Sequence, residues 1–420
     1  MASQPLRFIL AFFGTLAVGV LTIGAFNHFV DPYDMRITFA DGGQDVHRPA
    51  VGEFAKISKP FAVAALKPDG AILGTSRSHH ALDPNHPAWP AEARRAFNFA
   101  QAGTTITELR RSFEHLLSVD KPRIVVLELD FYAFNIHRQH SPDFDDALLQ
   151  RSARDWLRPT LRRAELLVSI DTLQASLAAI GASPNAESDY EPNGRINDRL
   201  YERKVLAYKG HRAVFLKSER SQYIEPFYAM APTQRPSYRG RGGAPGLDEF
   251  ARILALTREN NVDLRCFIAP LHARQWEVFR ALGLEPEILA WKHDLVRMLD
   301  AEASAHHGAT AFPLWDFSGY NSITIEALPP AGDQSSRMSW YWESSHFKRE
   351  AGDLVLNRLF DPQAKAYKAP ADFGVRLTPS TIDAALEEQQ LAGRRYRATH
   401  AADLDEIAAA VASARARAQH

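Results

Sequence analysis

Cysteine is nearly absent. Cys266 is the single cysteine among 420 residues, so no disulfide can form within the chain. The fold must then be held by its apolar core, and a cysteine-poor chain is compatible with an exported bacterial domain. Cys266 lies in an apolar run and reads as a small core residue rather than a nucleophile. An excess of either charge is also missing: 49 Lys plus Arg face 50 Asp plus Glu, a net charge of -1. Nothing here favours nucleic acid as a partner, and no cluster of cysteines and histidines suggests a zinc module. The glycine-rich, basic stretch from Ser237 to Gly246 lacks the strand, spacing and Lys-Ser/Thr ending of a phosphate-binding loop, and reads instead as a mobile loop.

Charge disappears altogether from Phe8 to Phe29. These 22 residues contain no Asp, Glu, Lys or Arg, and one histidine near the end. At about 1.5 Å per residue a helix of this length crosses a hydrocarbon core of roughly 30 Å. Arg7 just before it favours a cytoplasmic N-terminus, which would leave the rest of the chain outside the cytoplasmic membrane. The run is long for a cleaved signal peptide and no small-x-small site follows it, so residues 1–30 are expected to be an uncleaved membrane anchor.

The remaining chain has ordinary globular composition, 45% apolar and 24% charged. It is long enough for one large domain with insertions. Residues 31–60 are polar and irregular, with Asp31-Pro32-Tyr33 and Gly42-Gly43. Strand and helix patterns then alternate. Strands are expected at Ala71 to Leu73, Phe97 to Ala100, Arg123 to Leu129, Val262 to Ile268 and Thr310 to Trp315. Helices are expected over Thr104 to Ser118, Asp248 to Glu259 and about Glu287 to Ala305. The unbroken aliphatic run Arg123 to Leu129 marks a strand covered on both faces. Such alternation predicts an α/β domain over about 31–368, with a mostly parallel central sheet between helices. An insertion over about 138–245 interrupts it, with helical runs near 143–157 and 161–181. A helical appendage is expected over 369–420, Ser380 capping a first helix to Gln389 and a second running from Asp403 to Arg417.

Ligands of parallel sheets bind beyond the carboxyl ends of the strands, where Ser76, Gly103, Asp130, His272 and Asp316 all fall. Ser76 follows the first strand in Gly74-Thr75-Ser76. Gly74 permits a tight turn, and amides after it can face a developing oxyanion. A serine hydroxyl is a weak nucleophile without a base. His346 is a candidate base, and Glu343, three residues earlier, would lie one helical turn away, where it can fix the tautomer. Asp316 is an alternative orienter for His346. Arg77 can clamp an anionic substrate or pair with Asp130 or Asp316; Asp130 can orient Arg77 or cap the following helix. His79, His80 and His272 are further histidines near strand ends, too few on their own to specify a metal site, and no cofactor is expected.

These segments resemble the blocks of the SGNH hydrolase superfamily, and within it the membrane-anchored, extracytoplasmic branch that includes alginate O-acetyltransferases and the D-alanyl transfer protein of teichoic acid modification. Gly74-Thr75-Ser76 is similar to the nucleophile block. Gly103 stands where the family places an oxyanion-hole glycine, and Glu343-Ser344-Ser345-His346 is similar to the last block with Glu in the acidic position. The third block, Gly-x-Asn-Asp, is missing: Glu128 to Asn135 stands there instead, leaving Asn135 as an out-of-register candidate donor beside the amides of Ser76 and Gly103. The resemblance covers roughly residues 65–360. It implies a three-layer, flavodoxin-like sandwich and serine-dependent acyl transfer. By this likeness the acceptor is expected to be a bacterial envelope polysaccharide or other glycan and the acyl donor a membrane-bound O-acyltransferase, at the inner (cytoplasmic) membrane with the main domain periplasmic or otherwise extracytoplasmic. The alternatives are an anchored carbohydrate esterase, with water as acceptor, and a catalytically degenerate glycan-binding or scaffold protein.

Overall fold

The computed structural model describes residues 4–36, 51, 54–182, 190–360 and 367–419. They fall into two compact units. One comprises Met1–Lys67, Glu114–Asp120 and Pro142–Pro192; the other comprises Pro68–Phe113, Lys121–Ser141 and Asn193–His420. These boundaries cut across the sequence-based division, because the first part of the expected insertion packs with the N-terminal helix.

In the first unit, the apolar run forms one helix, Gln4–Val30, long and apolar enough to cross a membrane. A second helix, Ala55–Leu66, occupies part of the stretch read as irregular; Gly42-Gly43 lies outside the described residues. The helix expected over 143–157 does not form. Asp145 instead caps a single 3-10 turn, Asp146–Leu148, by accepting from the Ala147 amide, the local alternative to helix that aspartate offers. Arg151, Arg158 and Arg162 are drawn to Asp146 and Asp145. The run over 161–181 becomes two helices, Leu157–Leu167 and Ile170–Gly181, bent by 64°. Ser169 causes the break, its Oγ capping the second helix at the Thr172 amide, 3.1 Å away.

The second unit holds the sheet. Its strands are β1 (Gly70–Leu73), β2 (Ala96–Asn98), β3 (Ile124–Leu129), β4 (Asp263–Ile268), β5 (Leu314–Asp316) and β8 (Val375–Leu377). A separate hairpin pairs β6 (Tyr341–Glu343) with β7 (His346–Phe347). The order in the six-stranded sheet is β2-β1-β3-β4-β5-β8. The first five strands are parallel, and β8 is antiparallel at the edge. Helices flank the sheet. All six residues of β3 are buried, as its aliphatic sequence requires, and Cys266 is buried in β4.

The C-terminal section does more than append helices. Residues 375–377 complete the sheet, and helices follow at Ile382–Thr399 and Ala401–Arg417. Ser380 is not the cap expected of it: the residue before the first helix is Thr381, which makes no side-chain cap. Arg274, fully buried, grips Glu219 with two hydrogen bonds of 2.8 and 2.9 Å and also reaches Asp403 and Glu406. The last helix is thereby tied to the body of the unit.

Because β1 to β5 run the same way, their carboxyl ends share one edge. The chain leaves β1, crosses to β2 on one side, and returns past β1 to β3 on the other. That reversal opens a crevice between the ends of β1 and β3.

Candidate functional site

The turn after β1 is held by a buried carboxylate. Glu128, on β3, accepts from the Thr75 amide (3.0 Å), the Thr75 hydroxyl (2.8 Å) and the Ser78 amide (3.0 Å). Gly74 is required here because a Cβ would stand 2.6 Å from Glu128 Oε2. The chain then enters the short helix Ser76–Ala81, with Ser76 as its first residue.

Glu343 and His346 are brought together by the β6–β7 hairpin, not by a helical turn. They form a cross-strand pair, with Ser344 and Ser345 as the connecting residues. The His346 Nδ1 hydrogen bonds to Glu343 Oε1, and His346 Nε2 lies 2.7 Å from Ser76 Oγ. Ionised Glu343 can only accept, so Nδ1 carries the ring proton and Nε2 presents a lone pair to the Ser76 hydroxyl. Glu343 also accepts from the Ser345 hydroxyl (2.9 Å), the Ser345 amide (3.1 Å) and the Ser218 hydroxyl. Burial alone would raise its pKa. The facing imidazole and the hydrogen bonds from His346, Ser218 and Ser345 outweigh burial and hold the carboxyl at about 2. It is charged at neutral pH. Behind His346 lies the buried His80 ring, 5.1 Å away between centroids, kept neutral by burial and by His346.

Ser76 opens into a cavity of about 480 Å³. Gly103 lines it with φ +67°, as do Asn135 and His346. Among the described residues, the backbone amides of Ser76 and Gly103 donate to no other group, so both are available to an oxygen in the cavity. Asn135 caps locally: its Oδ1 accepts from the His137 and Ser237 amides, both at 3.2 Å. That fixes its side chain at the wall of the cavity.

Arg77 is committed within the protein. It pairs with Asp130, donates from Nε to the Ser345 carbonyl (3.1 Å) and from Nη2 to the Tyr223 hydroxyl (3.3 Å). Burial opposes its charge, but Asp130, Tyr223 and Glu128 overcome that and keep the guanidinium protonated. Its charge is therefore neutralised, which removes the expected clamp on an anionic substrate. Instead Arg77 fastens the turn between Glu343 and His346 to the segment that carries Ser76. Asp130 takes both expected roles, pairing with Arg77 and capping the turn Phe131–Phe134 through the Tyr132 amide.

Asp316 and His272 do not reach the cavity. Asp316 is occupied by Lys292 (2.6 Å) and by the Ser318 amide and hydroxyl (2.9 and 2.6 Å), so it does not orient His346. His272 caps the helix Ala273–Ala281 through Nδ1. Its Nε2 donates to the Glu326 carbonyl (2.7 Å), between the rings of Phe215 and Tyr341. Burial pushes its pKa down to about 4, so it is a neutral core residue. Its support to the site is through the backbone: the His272 amide donates to the Ser344 carbonyl at 3.1 Å. His79 and His80 also lie outside the cavity wall, and among the described residues no group of His, Cys, Asp or Glu is arranged to hold a metal ion.

Several contributors have no legible sequence signal. Ser218 ends one helix of the insertion, and Tyr223 lies in the single π-helical turn that follows, Glu219–Ile224. Such turns recur at functional sites because they re-aim side chains. Arg138 lines the cavity beside Gly103, and among the described residues its guanidinium forms no ion pair. Its place in the loop after β3, far from Ser76 in sequence, carries no motif that marks it. No protein-family model matches this sequence, and no curated protein matches it.

Proposed function

We propose that this protein is a serine-dependent acyl-transfer enzyme of SGNH type. The observation that carries the proposal is the continuous hydrogen-bonded series from Ser76 Oγ through the His346 ring to Glu343. Ser76 Oγ attacks the acyl carbonyl while His346 Nε2 takes its proton. The oxyanion is received by the amides of Ser76 and Gly103, with Asn135 as a side-chain donor in place of the missing third block. The intermediate collapses, His346 returns the proton to the departing alcohol, and the acyl group remains as an ester on Ser76. An acceptor hydroxyl then attacks that ester, gives its proton to His346, and Ser76 Oγ recovers it on leaving.

The strand order β2-β1-β3-β4-β5 is that of flavodoxin-like doubly wound sheets, which supports the three-layer SGNH assignment. The apolar N-terminal helix supports a single-pass anchor in the inner membrane, with the sheet domain on the periplasmic side. An anchored acyl-enzyme is placed to receive acyl groups from a membrane-bound O-acyltransferase and pass them to an envelope polysaccharide. The test uses the full chain in detergent with p-nitrophenyl acetate, with and without deacylated glycans. Ester formed on a glycan supports the transferase. Free acetate alone with every acceptor makes it an esterase. Release of p-nitrophenol no faster than in Ser76→Ala reduces it to a binding or scaffold protein.

A further inference from the structure

The first unit exposes an apolar stripe that the chemistry at Ser76 does not use. In the helix Leu157–Leu167, Arg158 and Arg162 are held against Asp146 and Asp145 at 2.7 and 2.5 Å, and Leu166 is buried with Tyr33, Met35 and Leu148. Leu157 and Leu161 are exposed beside these arginines, and Trp156, just before the helix, is 60% exposed. The next helix, Ile170–Gly181, presents Ile170 (69% exposed), Leu177 and Ile180 (61% exposed). Positions 170, 177 and 180 fall on one side of a helix, so this is a stripe rather than scattered residues.

What covers the stripe is indicated by its attachment. Val168, at the bend, meets the apolar N-terminal helix so closely that a Cβ on Gly24 would lie 3.2 Å from its Cγ1. Asn27, fully buried, donates from Nδ2 to the Leu167 carbonyl and accepts from the Ser176 hydroxyl, both at 2.8 Å. Both halves of the bent pair are thus fastened to the last turns of the span. A hydrocarbon crossing of about 20 residues that starts at Phe8 ends beside Asn27. The bend therefore sits where the N-terminal helix leaves the hydrocarbon. At 11 and 12 residues, neither helix of the pair is long enough to cross. A tryptophan at one end, arginines flanking the exposed leucines and an apolar stripe are the features of helices that lie in the headgroup boundary.

We propose that residues 156–180 form a monotopic membrane patch, lying in the same bilayer that the N-terminal helix crosses. The patch makes the first unit a membrane-seated base, with two points of attachment in place of one. It depends on the anchor and is independent of the acyl-transfer chemistry.

The test places the full chain in lipid nanodiscs at one copy per disc. Single cysteines at Ile170→Cys and Ile180→Cys carry an NBD fluorophore; native Cys266 is buried and stays unlabelled. Leu10→Cys, within the span, and Glu387→Cys, on an exposed helix of the second unit, are the references. Labels at 170 and 180 are expected to emit to the blue of the Glu387 label and to be quenched by lipids brominated near the carbonyl end of the chains. The share of native tryptophan emission quenched by the same lipids is expected to fall in Trp156→Phe. Emission at 170 and 180 matching the Glu387 label, while Leu10 remains quenched, overturns the proposal. Shielding that appears only with two copies per disc also overturns it, since the occupant is then a second chain.

Discussion

Replacing Glu343 by glutamine tests the site through a single atom. Every hydrogen-bonding group around this carboxylate is a donor: His346 Nδ1 and the Ser345 hydroxyl at Oε1, and the Ser345 amide with the Ser218 and Ser344 hydroxyls at Oε2. A glutamine must turn its NH2 toward one side or the other. The hydroxyls can rotate to accept, but the Ser345 N–H, 3.1 Å away, cannot. The amide oxygen therefore takes the Oε2 side, and the NH2 faces His346 Nδ1. That nitrogen must then accept, so the ring proton moves to Nε2 and the imidazole can no longer take the proton of Ser76. The wrong tautomer in a Ser-His-carboxylate site costs roughly 10⁴ in kcat, or about 5 kcal/mol of transition-state stabilisation. The assay is p-nitrophenyl acetate turnover by the full chain, with circular dichroism to show that the variant is folded. A folded Glu343→Gln variant within about tenfold of the parent refutes the role given to Glu343 and the tautomer argument with it. Acid should not mimic the substitution at moderate pH, because the carboxyl titrates at about 2. Relative to an ordinary value of 4.5, this lowered pKa favours the fold above the ordinary value, and the benefit is lost as pH falls toward 2.

Three other outcomes are expected. Arg77→Met leaves Asp130 buried without its partner and should lower stability by about 3–5 kcal/mol in urea unfolding, with partial recovery when Asp130→Asn is added; no loss would mean the pair is solvated. Asp353, whose Oδ1 is buried without a hydrogen bond among the described residues, has its carboxyl pushed by burial from 3.8 up to about 7, against the influence of Arg349. The folded state therefore holds a proton that the unfolded state has released. Stability should fall as pH rises from about 4 and level off above about 7, and Asp353→Asn should raise Tm on the alkaline side while changing little below pH 4; a flat profile in the parent contradicts this. Arg138→Ala should raise KM for a carboxylate-bearing glycan acceptor by about ten- to a hundredfold, the worth of a hydrogen bond to a charged group, and leave p-nitrophenyl acetate turnover unchanged; equal effects on both substrates would assign Arg138 to packing.

The parallel strands were legible because β-branched and aliphatic runs such as Ile124–Leu129 are bought by only one environment, a sheet covered on both faces. The juxtaposition of Gly74-Thr75-Ser76 with the Glu343 to His346 segment is legible as residue types, but its geometry differs from the helical turn expected. A spacing of three residues suits a helical turn, yet a two-residue hairpin brings the same side chains together across its strands. Asp145 and Ser169 likewise divided a stretch that periodicity alone reads as helix, since their side chains satisfy backbone amides locally. Other long-range partners left no trace in the sequence. Asp316 lies at a strand end as expected, but Lys292 claims it, and nothing near either residue announces that pair. Arg77 is a mixed case: pairing with Asp130 is one of the roles its position suggests, while the Ser345 carbonyl and the Tyr223 hydroxyl that complete its attachment are distant in sequence and unannounced.

Intact mass of the full chain, taken shortly after mixing with an activated acetyl ester, bears most directly on whether Ser76 forms an acyl-enzyme. One acetyl group should be added, mapped to the peptide containing Ser76, absent in Ser76→Ala and long-lived in Glu343→Gln only if acylation still occurs there. An acetyl adduct of equal yield in Ser76→Ala, or none in the parent while p-nitrophenol is released, would contradict a covalent mechanism at this serine.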